Sequence, residues 1–348
     1  MSIGCALIVL ALAAVSAAVI VTRSQDDDER TDLQMAMAMA PDNGQRFSWT
    51  RWAGVRAELG LDLTGDSSPE DVAELLEVGF DADLTSTSAL VASAEVMQES
   101  FGFSPATLEW ELFTQSETGA SIIMKPSVGT DVATIADRLR AIGYVEPPEP
   151  DGVWSSDANT VAVSAQVTPE LAFLSLDAGA GLIIASDTSA GASAAIASAA
   201  ADTSAALPAE LVGAVGDPLS AALYSGAQVC GALAMANADP TEQNQADALI
   251  AQAGEVNPLT GFALAAEPGG GVRVAMSFES ESLARTNADT RAALASGPAP
   301  GQGGDFSDRF ALGAVTADGT VVTMDLEPVD GAYVVSDLST GPVLFATC

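Results

Sequence analysis

Residues 108–142 read LEWELFTQSETGASIIMKPSVGTDVATIADRLRAI, and they decide the fold class. Apolar and polar side chains alternate over 108–115 and again over 120–125, on either side of a short turn that ends at Gly119. Alternation of period two around a glycine turn predicts an antiparallel hairpin. The spacing then changes to that of a helix over 131–142. The stretch therefore predicts a strand-strand-helix unit.

The same order of elements recurs along the chain. Second and third copies occupy 171–201 and 261–295, and a fourth hairpin over 310–326 is followed by two strand-like segments, 332–336 and 343–346. Tight turns join antiparallel strands, whereas parallel strands need long crossovers. We therefore expect an α+β fold of repeated strand-strand-helix units. Its mainly antiparallel sheets would be covered by helices on one face and be exposed or packed on another sheet on the other.

Composition shifts divide the chain into four parts. We expect a transmembrane anchor over 1–22, an acidic flexible linker over 23–46, a first α+β lobe over 47–207 and a second over 208–348. The Met-Ala alternation at 35–40 has no amphipathic face and is either a short helix or a tether. Further helices are predicted over 50–59, 68–76, 87–101, 219–238 and 242–253.

Residues 3–21, IGCALIVLALAAVSAAVIV, form an uncharged apolar run. At about 1.5 Å per residue the run can cross a hydrocarbon core of about 30 Å, which predicts a single-pass anchor. A cleaved signal peptide with a small-residue site at Val15-Ser16-Ala17 is the alternative. A strict count of basic residues, with Arg23 and Arg30 after the span, would place the large domain in the cytoplasm. The acidic flank and the Ala, Ser, Thr, Gly and Asp-rich composition favour an extracytoplasmic domain on the cell membrane.

Three cysteines are present, and Cys5 lies inside the apolar run. If the large domain is external, Cys230 and Cys348 are the pair available for a disulfide. A bridge across a loop of that length would contribute about 4 to 5 kcal/mol in the chain-entropy model. Two unrelated thiols are the alternative, since spacing alone does not define pairing.

Charge excludes several classes of function. The chain has 47 acidic and 12 basic residues, a net charge of -35, and no histidine. A nucleic-acid partner is not expected because the basic stripe that displaces counterions from phosphate is missing. Catalysis by Ser-His-Asp or Cys-His groups and His-ligated zinc are excluded by the absence of imidazole. We expect no cofactor and no metal, and interpret the acidic run over 26–29 as a solvated spacer.

One motif has the pattern of a catalytic site. Asp81, Asp83 and Thr85 match the DxDxT pattern and resemble the first motif of haloacid-dehalogenase-type phosphatases. The resemblance implies Asp81 as nucleophile, Asp83 as acid and base, Lys125 as the partner of the aspartyl-phosphate, and magnesium as cofactor. The second acidic pair and the parallel strands of that family are missing from the sequence. The alternative interpretation is that residues 83–86 cap the helix predicted over 87–101, and we expect no enzyme activity.

Three segments carry a family resemblance: 258–264 (PLTGFAL), 284–289 (ARTNAD) and 341–348 (GPVLFATC). They resemble uncharacterised membrane-anchored envelope proteins of high-GC Gram-positive bacteria. The resemblance implies one N-terminal span and an external domain, and it brings no known activity. The sequence thus predicts a non-catalytic binding or scaffolding ectodomain in the cell envelope. Its partner would be an unknown envelope protein or a small apolar ligand held between helices and sheet.

Overall fold

The structure is a computed structural model that describes residues 30–156 and 166–348. Within these ranges the chain forms the strands β1 (Arg46–Thr50), β2 (Leu108–Ser116), β3 (Gly119–Pro126), β4 (Trp154–Ser155), β5 (Phe173–Asp177), β6 (Leu182–Ser186), β7 (Ser220–Ser225), β8 (Gly261–Ala266), β9 (Val272–Ser277), β10 (Phe310–Asp318) and β11 (Val321–Pro328). They make one 11-stranded sheet in the order β10-β11-β9-β8-β7-β1-β2-β3-β6-β5-β4. All the strand pairs are antiparallel.

The α-helices of the described residues are α1 (Asp32–Met39), α2 (Trp52–Leu59), α3 (Pro69–Asp81), α4 (Ala94–Val96), α5 (Val132–Ala141), α6 (Ser189–Ala201), α7 (Ala209–Val215), α8 (Gly226–Ala232), α9 (Pro240–Ala253), α10 (Glu281–Leu294) and α11 (Val334–Leu338). Side-chain caps explain several of the starts. Ser68 and Asp71 form a capping box at α3, and Asp239 accepts backbone hydrogen bonds at the start of α9. The C-terminal stop of α2 is Gly60, which has the left-handed φ of 69° that a glycine adopts without strain.

The predicted hairpins are confirmed. Each of the four, β2-β3, β5-β6, β8-β9 and β10-β11, is followed by a helix: α5, α6, α10 and α11 respectively. The turn between β2 and β3 ends at Gly119, whose φ of 134° is inaccessible to most side chains. The α+β class and the antiparallel pairing are therefore confirmed, although the strands form one sheet where several were expected.

The sheet has an internal duplication centred on the pair β1 and β7. Outward from β1 the order is β2, β3, β6, β5 and then the two-residue edge strand β4, and outward from β7 it is β8, β9, β11, β10. Each central strand is followed in sequence by helices, then by two hairpin-helix units. The ranges predicted as lobes, 47–207 and 208–348, each supply one half of the sheet, and the halves join where β1 pairs with β7 over five residue pairs.

Helices cover both faces of the sheet, and each face has its own core. The larger core includes side chains from α2, α3, α5 and α8 to α11, and the smaller one includes side chains from α1, α6 and α7. The expectation of one helix-covered face is wrong for the central strands, because these strands are apolar at consecutive positions. In β6 and β8 every residue is buried.

Contacts with the central strands decide the structure of two segments. Residues 220–225 form β7, where a helix over 219–238 was predicted, and the helix α8 begins only at Gly226. Residues 32–39 lie in the segment predicted as a linker and form α1, so the short helix, one of the two structures expected for the Met-Ala alternation, is confirmed. Leu33, Ala36 and Met37 of this helix are buried. In both cases Ala-rich sequence has little periodicity of its own, and contact with neighbouring strands decides its conformation.

Two predicted strands and one predicted helix have a different secondary structure from the one expected. Residues 332–336 and 343–346, predicted as strands, contain instead the helix α11 and the 3₁₀ turn Leu344–Ala346. The helix predicted over 87–101 begins at Val91 and passes from a 3₁₀ turn through α4 into a π-helix over Met97–Phe101.

Among residues 30–156 and 166–348, no helix combines the length and the apolarity that crossing a bilayer requires. The anchor predicted over 3–21, with Cys5, and the acidic run over 26–29 lie outside the described residues.

Candidate functional sites

The C-terminal segment is tied into the second half of the sheet by a disulfide. Cys230 in α8 is bonded to Cys348, with the two Cα atoms 5.5 Å apart, as the cysteine count predicted. The four residues 343–346 before it are almost completely buried. The backbone N–H of Val343 donates to the carbonyl of Leu233 at 2.8 Å, next to α8. Val343 and Cys348, the two ends of the C-terminal segment, are thus both held by α8 and the residue that follows it.

A buried arginine holds the same segment from the other side. Arg291 in α10 is completely buried, and its guanidinium donates to the carbonyls of Phe345 and Thr347 and, at 2.7 Å, to that of Asn257. Burial lowers the pKa of Arg291 to about 10. Its partners are neutral carbonyls, so this arginine acts as a structural clamp on the C-terminus. An arginine in a polar helix sequence gives no sequence signal for such a role.

The DxDxT residues do not converge on a catalytic centre. Asp81 is the exposed last residue of α3, while Asp83 has a left-handed φ of 57° and is buried. The Asp83 carboxylate accepts the backbone N–H groups of Val335 and Ser336, the latter at 2.9 Å. Burial raises the pKa of Asp83, and these hydrogen bonds oppose that shift. Asp83 therefore connects α3 in the first half to α11 in the second, and does not cap a helix over 87–101.

The other elements of the phosphatase resemblance lie elsewhere. Lys125 is on β3 and donates to the carbonyl of Ala180 in the β5-β6 turn, at 2.9 Å. In the part of the chain that the structure describes, no three metal-ligating side chains gather into a group that could hold an ion. The strand pairs are all antiparallel, whereas the phosphatase fold is built on parallel strands.

Glu111 on β2 is a buried carboxyl group that the sequence analysis missed. It is fully buried and accepts hydrogen bonds from Trp52 Nε1 at 2.9 Å and from the backbone N–H of Ala89 at 3.0 Å. Desolvation raises its pKa to about 7, although these bonds and one with Ser88 favour the ionised form. Glu111 holds the loop after α3 against α2. Glu111 alternates with apolar residues along β2, so its burial depends on the helix α2 that covers this face of the strand.

An apolar pocket of about 510 Å³ lies between α1 and the start of α7. Its lining combines mainly apolar side chains with a few polar ones: Met37, Ala38, Ala205, Leu207, Pro208, Ala209 and Val212, with Arg30, Gln34 and Ser204. Arg30 pairs with Asp202 at 3.2 Å. The N–H of Ser204 donates to the carbonyl of Ala38 at 2.8 Å, so the two walls are hydrogen-bonded to each other. The volume is within the range of small-molecule sites.

A second concave surface lies beside α3. This groove has a volume of about 440 Å³ and is lined by apolar, hydroxyl and acidic side chains: Leu76, Phe80 and Val91, Thr85, Ser86 and Ser88, and Glu77 and Asp81. Phe80 is 49% exposed and its ring lies 5.3 Å from that of Tyr333.

No family model matches the sequence, and no curated protein sequence matches it. The solved structures that resemble the chain include two crystal forms of TP0453, a protein of Treponema. Form I has a TM-score of 0.41 and 8% identity, covering 89% of this chain and 98% of TP0453. Form III has a TM-score of 0.39 and 8% identity, covering 87% and 97%.

Proposed function

We propose that this protein is a non-catalytic binding protein of the cell envelope, which holds a small apolar or amphipathic ligand between α1 and α7. The observation that carries the proposal is the α1-α7 pocket. Its size suits an acyl chain or a compact apolar molecule, and its walls are mostly aliphatic. Burying such a ligand gains about 25 cal/mol for each Å² of apolar surface removed from water.

The proposed location is the outer side of the cell membrane. Disulfides persist in oxidising compartments, and Cys230 and Cys348 form one here. The apolar run over 3–21 and the resemblance of 258–264, 284–289 and 341–348 to envelope proteins of high-GC Gram-positive bacteria support a single-pass anchor.

An anchor at 3–21 would bring the pocket close to the bilayer. Arg30, the first pocket residue, follows Val21 by nine residues. An extended chain of that length spans at most about 32 Å. A membrane-derived amphipathic molecule is therefore the ligand class that the pocket would meet first.

Photo-crosslinking tests ligand binding in the intact protein. Cells expressing the full chain are fed a diazirine-bearing fatty acid and irradiated, and the labelled peptides are mapped. We expect label on the peptides containing Met37 and Val212. Ala209→Trp, which fills the pocket from an exposed position, should abolish it, whereas Ala197→Trp on the exposed side of α6 should not. Equal labelling of the Ala209→Trp protein would refute the proposed site.

Maleimide labelling tests the location separately. A membrane-impermeant maleimide added to intact cells should modify Cys230 and Cys348 only after reduction. Labelling that requires lysis and needs no reductant would place the domain in the cytoplasm and overturn the envelope assignment.

A further inference from the structure

We propose that the groove beside α3 is a docking site for a cationic amphipathic segment of a partner protein. The groove is formed by the C-terminal half of α3 and the loop that follows it, and it is separate from the α1-α7 pocket. The proposal therefore goes beyond the ligand binding described above.

Two large exposed apolar side chains, Phe80 and Val91, line this groove. Six large apolar residues of the described chain are exposed, and Val78, Phe80 and Val91 lie on α3 or in the segment after it. A fourth, Val329, lies in the loop leading to Tyr333, whose ring packs on Phe80. Scattered single apolar residues are normal on a protein surface, but a cluster of this kind marks an interaction site.

The charged side chains that line the groove, Glu77 and Asp81, are both negative. Residues 57–124 contain fourteen Asp or Glu and not one Lys or Arg. On α3, Glu77 and Asp81 are four residues apart, and like charges at that spacing destabilise a helix. Asp81 also lies in the last turn, where a negative charge opposes the helix dipole and where α3 has no basic residue. These two carboxylates weaken the helix that carries them, so the fold gives no reason for their placement.

The groove is preformed. Its loop is fixed at three points: the N–H of Leu84 donates to the carbonyl of Gly79 at 2.8 Å, Asp83 binds α11, and Glu111 accepts the N–H of Ala89. A partner segment would therefore bind without the cost of ordering the loop.

Charge complementarity selects the occupant. An anionic lipid surface would be repelled by Glu77 and Asp81. A second copy of this chain would bring the same acidic surface and a net charge of -35. A helix with leucine-like residues on one face and Lys or Arg beside them would bury its apolar side on Phe80 and Val91 and pair its cations with the two carboxylates.

The test measures peptide binding to the full chain in phosphatidylcholine nanodiscs, with empty nanodiscs as the blank. The probe is a fluorescein-labelled Leu/Lys peptide with leucines at i, i+3, i+4 and i+7, read by fluorescence anisotropy. We expect Phe80→Ser and Asp81→Lys each to weaken binding by about tenfold. A matched Leu/Glu peptide should not bind.

Two control variants separate specific docking from general attraction to an acidic protein. Val145→Ser removes an exposed apolar side chain, and Asp247→Lys reverses an exposed charge on α9, both away from the groove. Their affinities should stay within about twofold of the parent protein. Equal losses in these controls, or unchanged binding by Phe80→Ser and Asp81→Lys, would overturn the proposal. Ala209→Trp should leave peptide binding intact, so the ligand pocket and the groove are tested independently.

Discussion

Removing the disulfide tests how the two halves of the sheet are coupled. The change is Cys230→Ala together with Cys348→Ala, which opens a covalent loop with a sequence separation of 118. In the chain-entropy model a loop of this length stabilises the folded state by about 5 kcal/mol. With a denaturant slope of about 6 kcal/mol per molar in guanidinium chloride, the unfolding midpoint should fall by about 0.8 M.

The positions of the tryptophans make the assay informative. All four, Trp49, Trp52, Trp110 and Trp154, are buried and lie in the first half of the fold, whereas both cysteines lie in the second. Tryptophan fluorescence therefore reports the half that does not contain the disulfide, and far-ultraviolet circular dichroism reports both. Because β1 pairs with β7 along its whole length at the centre of one sheet, we expect the two signals to shift together.

Cys5→Ala, which leaves the bond intact, should not move the midpoint. A tryptophan transition that stays in place while the circular dichroism transition splits or shifts would show that the halves unfold independently. That result would contradict the coupling that we infer from the continuous sheet.

Three further substitutions test the buried polar groups. Arg291→Met should lower the free energy of unfolding by about 3 kcal/mol or more, because three carbonyls lose their donor. Arg285→Met, on the exposed side of the same helix, should lower it by less than about 0.5 kcal/mol in the same denaturation assay. Asp83→Asn leaves one of two N–H groups of α11 without an acceptor and should lower the free energy of unfolding by about 1 to 3 kcal/mol. Asp81→Asn should leave the free energy of unfolding unchanged. A loss of phosphatase turnover in Asp81→Asn would contradict the non-catalytic assignment. Burial raises the pKa of Glu111 in the folded protein to about 7, above its ordinary value of 4.5. The stability that this group contributes is therefore fully present below about pH 4.5 and is lost as the pH rises to 7. Glu111→Gln should flatten this part of the curve of stability against pH, and an unchanged slope would refute the raised pKa of Glu111.

Local signals predicted the hairpins with good accuracy. Period-two alternation beside a short turn depends on neighbouring residues alone, and all four predicted hairpins are present. The pairing of Cys230 with Cys348 was also within reach of the sequence, because few cysteines were available. The strand β7 was missed, since Ser220–Ser225 is short and is followed at once by α8, for which Ser225 is the N-cap.

The candidate sites were much harder to predict from the sequence. The α1-α7 pocket depends on a helix within a segment predicted as a linker. The DxDxT motif was found by pattern, but its role depends on where α11 lies: Asp83 binds backbone groups more than 250 residues away. A short sequence motif contains no information about a partner that is so distant in the chain.

The sequence by itself determined the hairpins and the acidic composition, and it reduced the possible disulfide of the large domain to one pair of cysteines. Each depends on composition or on residues close together in the chain, where turn geometry and side-chain periodicity act directly. Only the tertiary structure decided the single sheet with its central β1-β7 pair, the burial of Glu111 and Arg291, and the pocket and groove. These features need contacts between distant segments, because burial depends on which helix covers a strand. The same carboxylate is a solvated charge on an open strand and a raised-pKa anchor beneath Trp52.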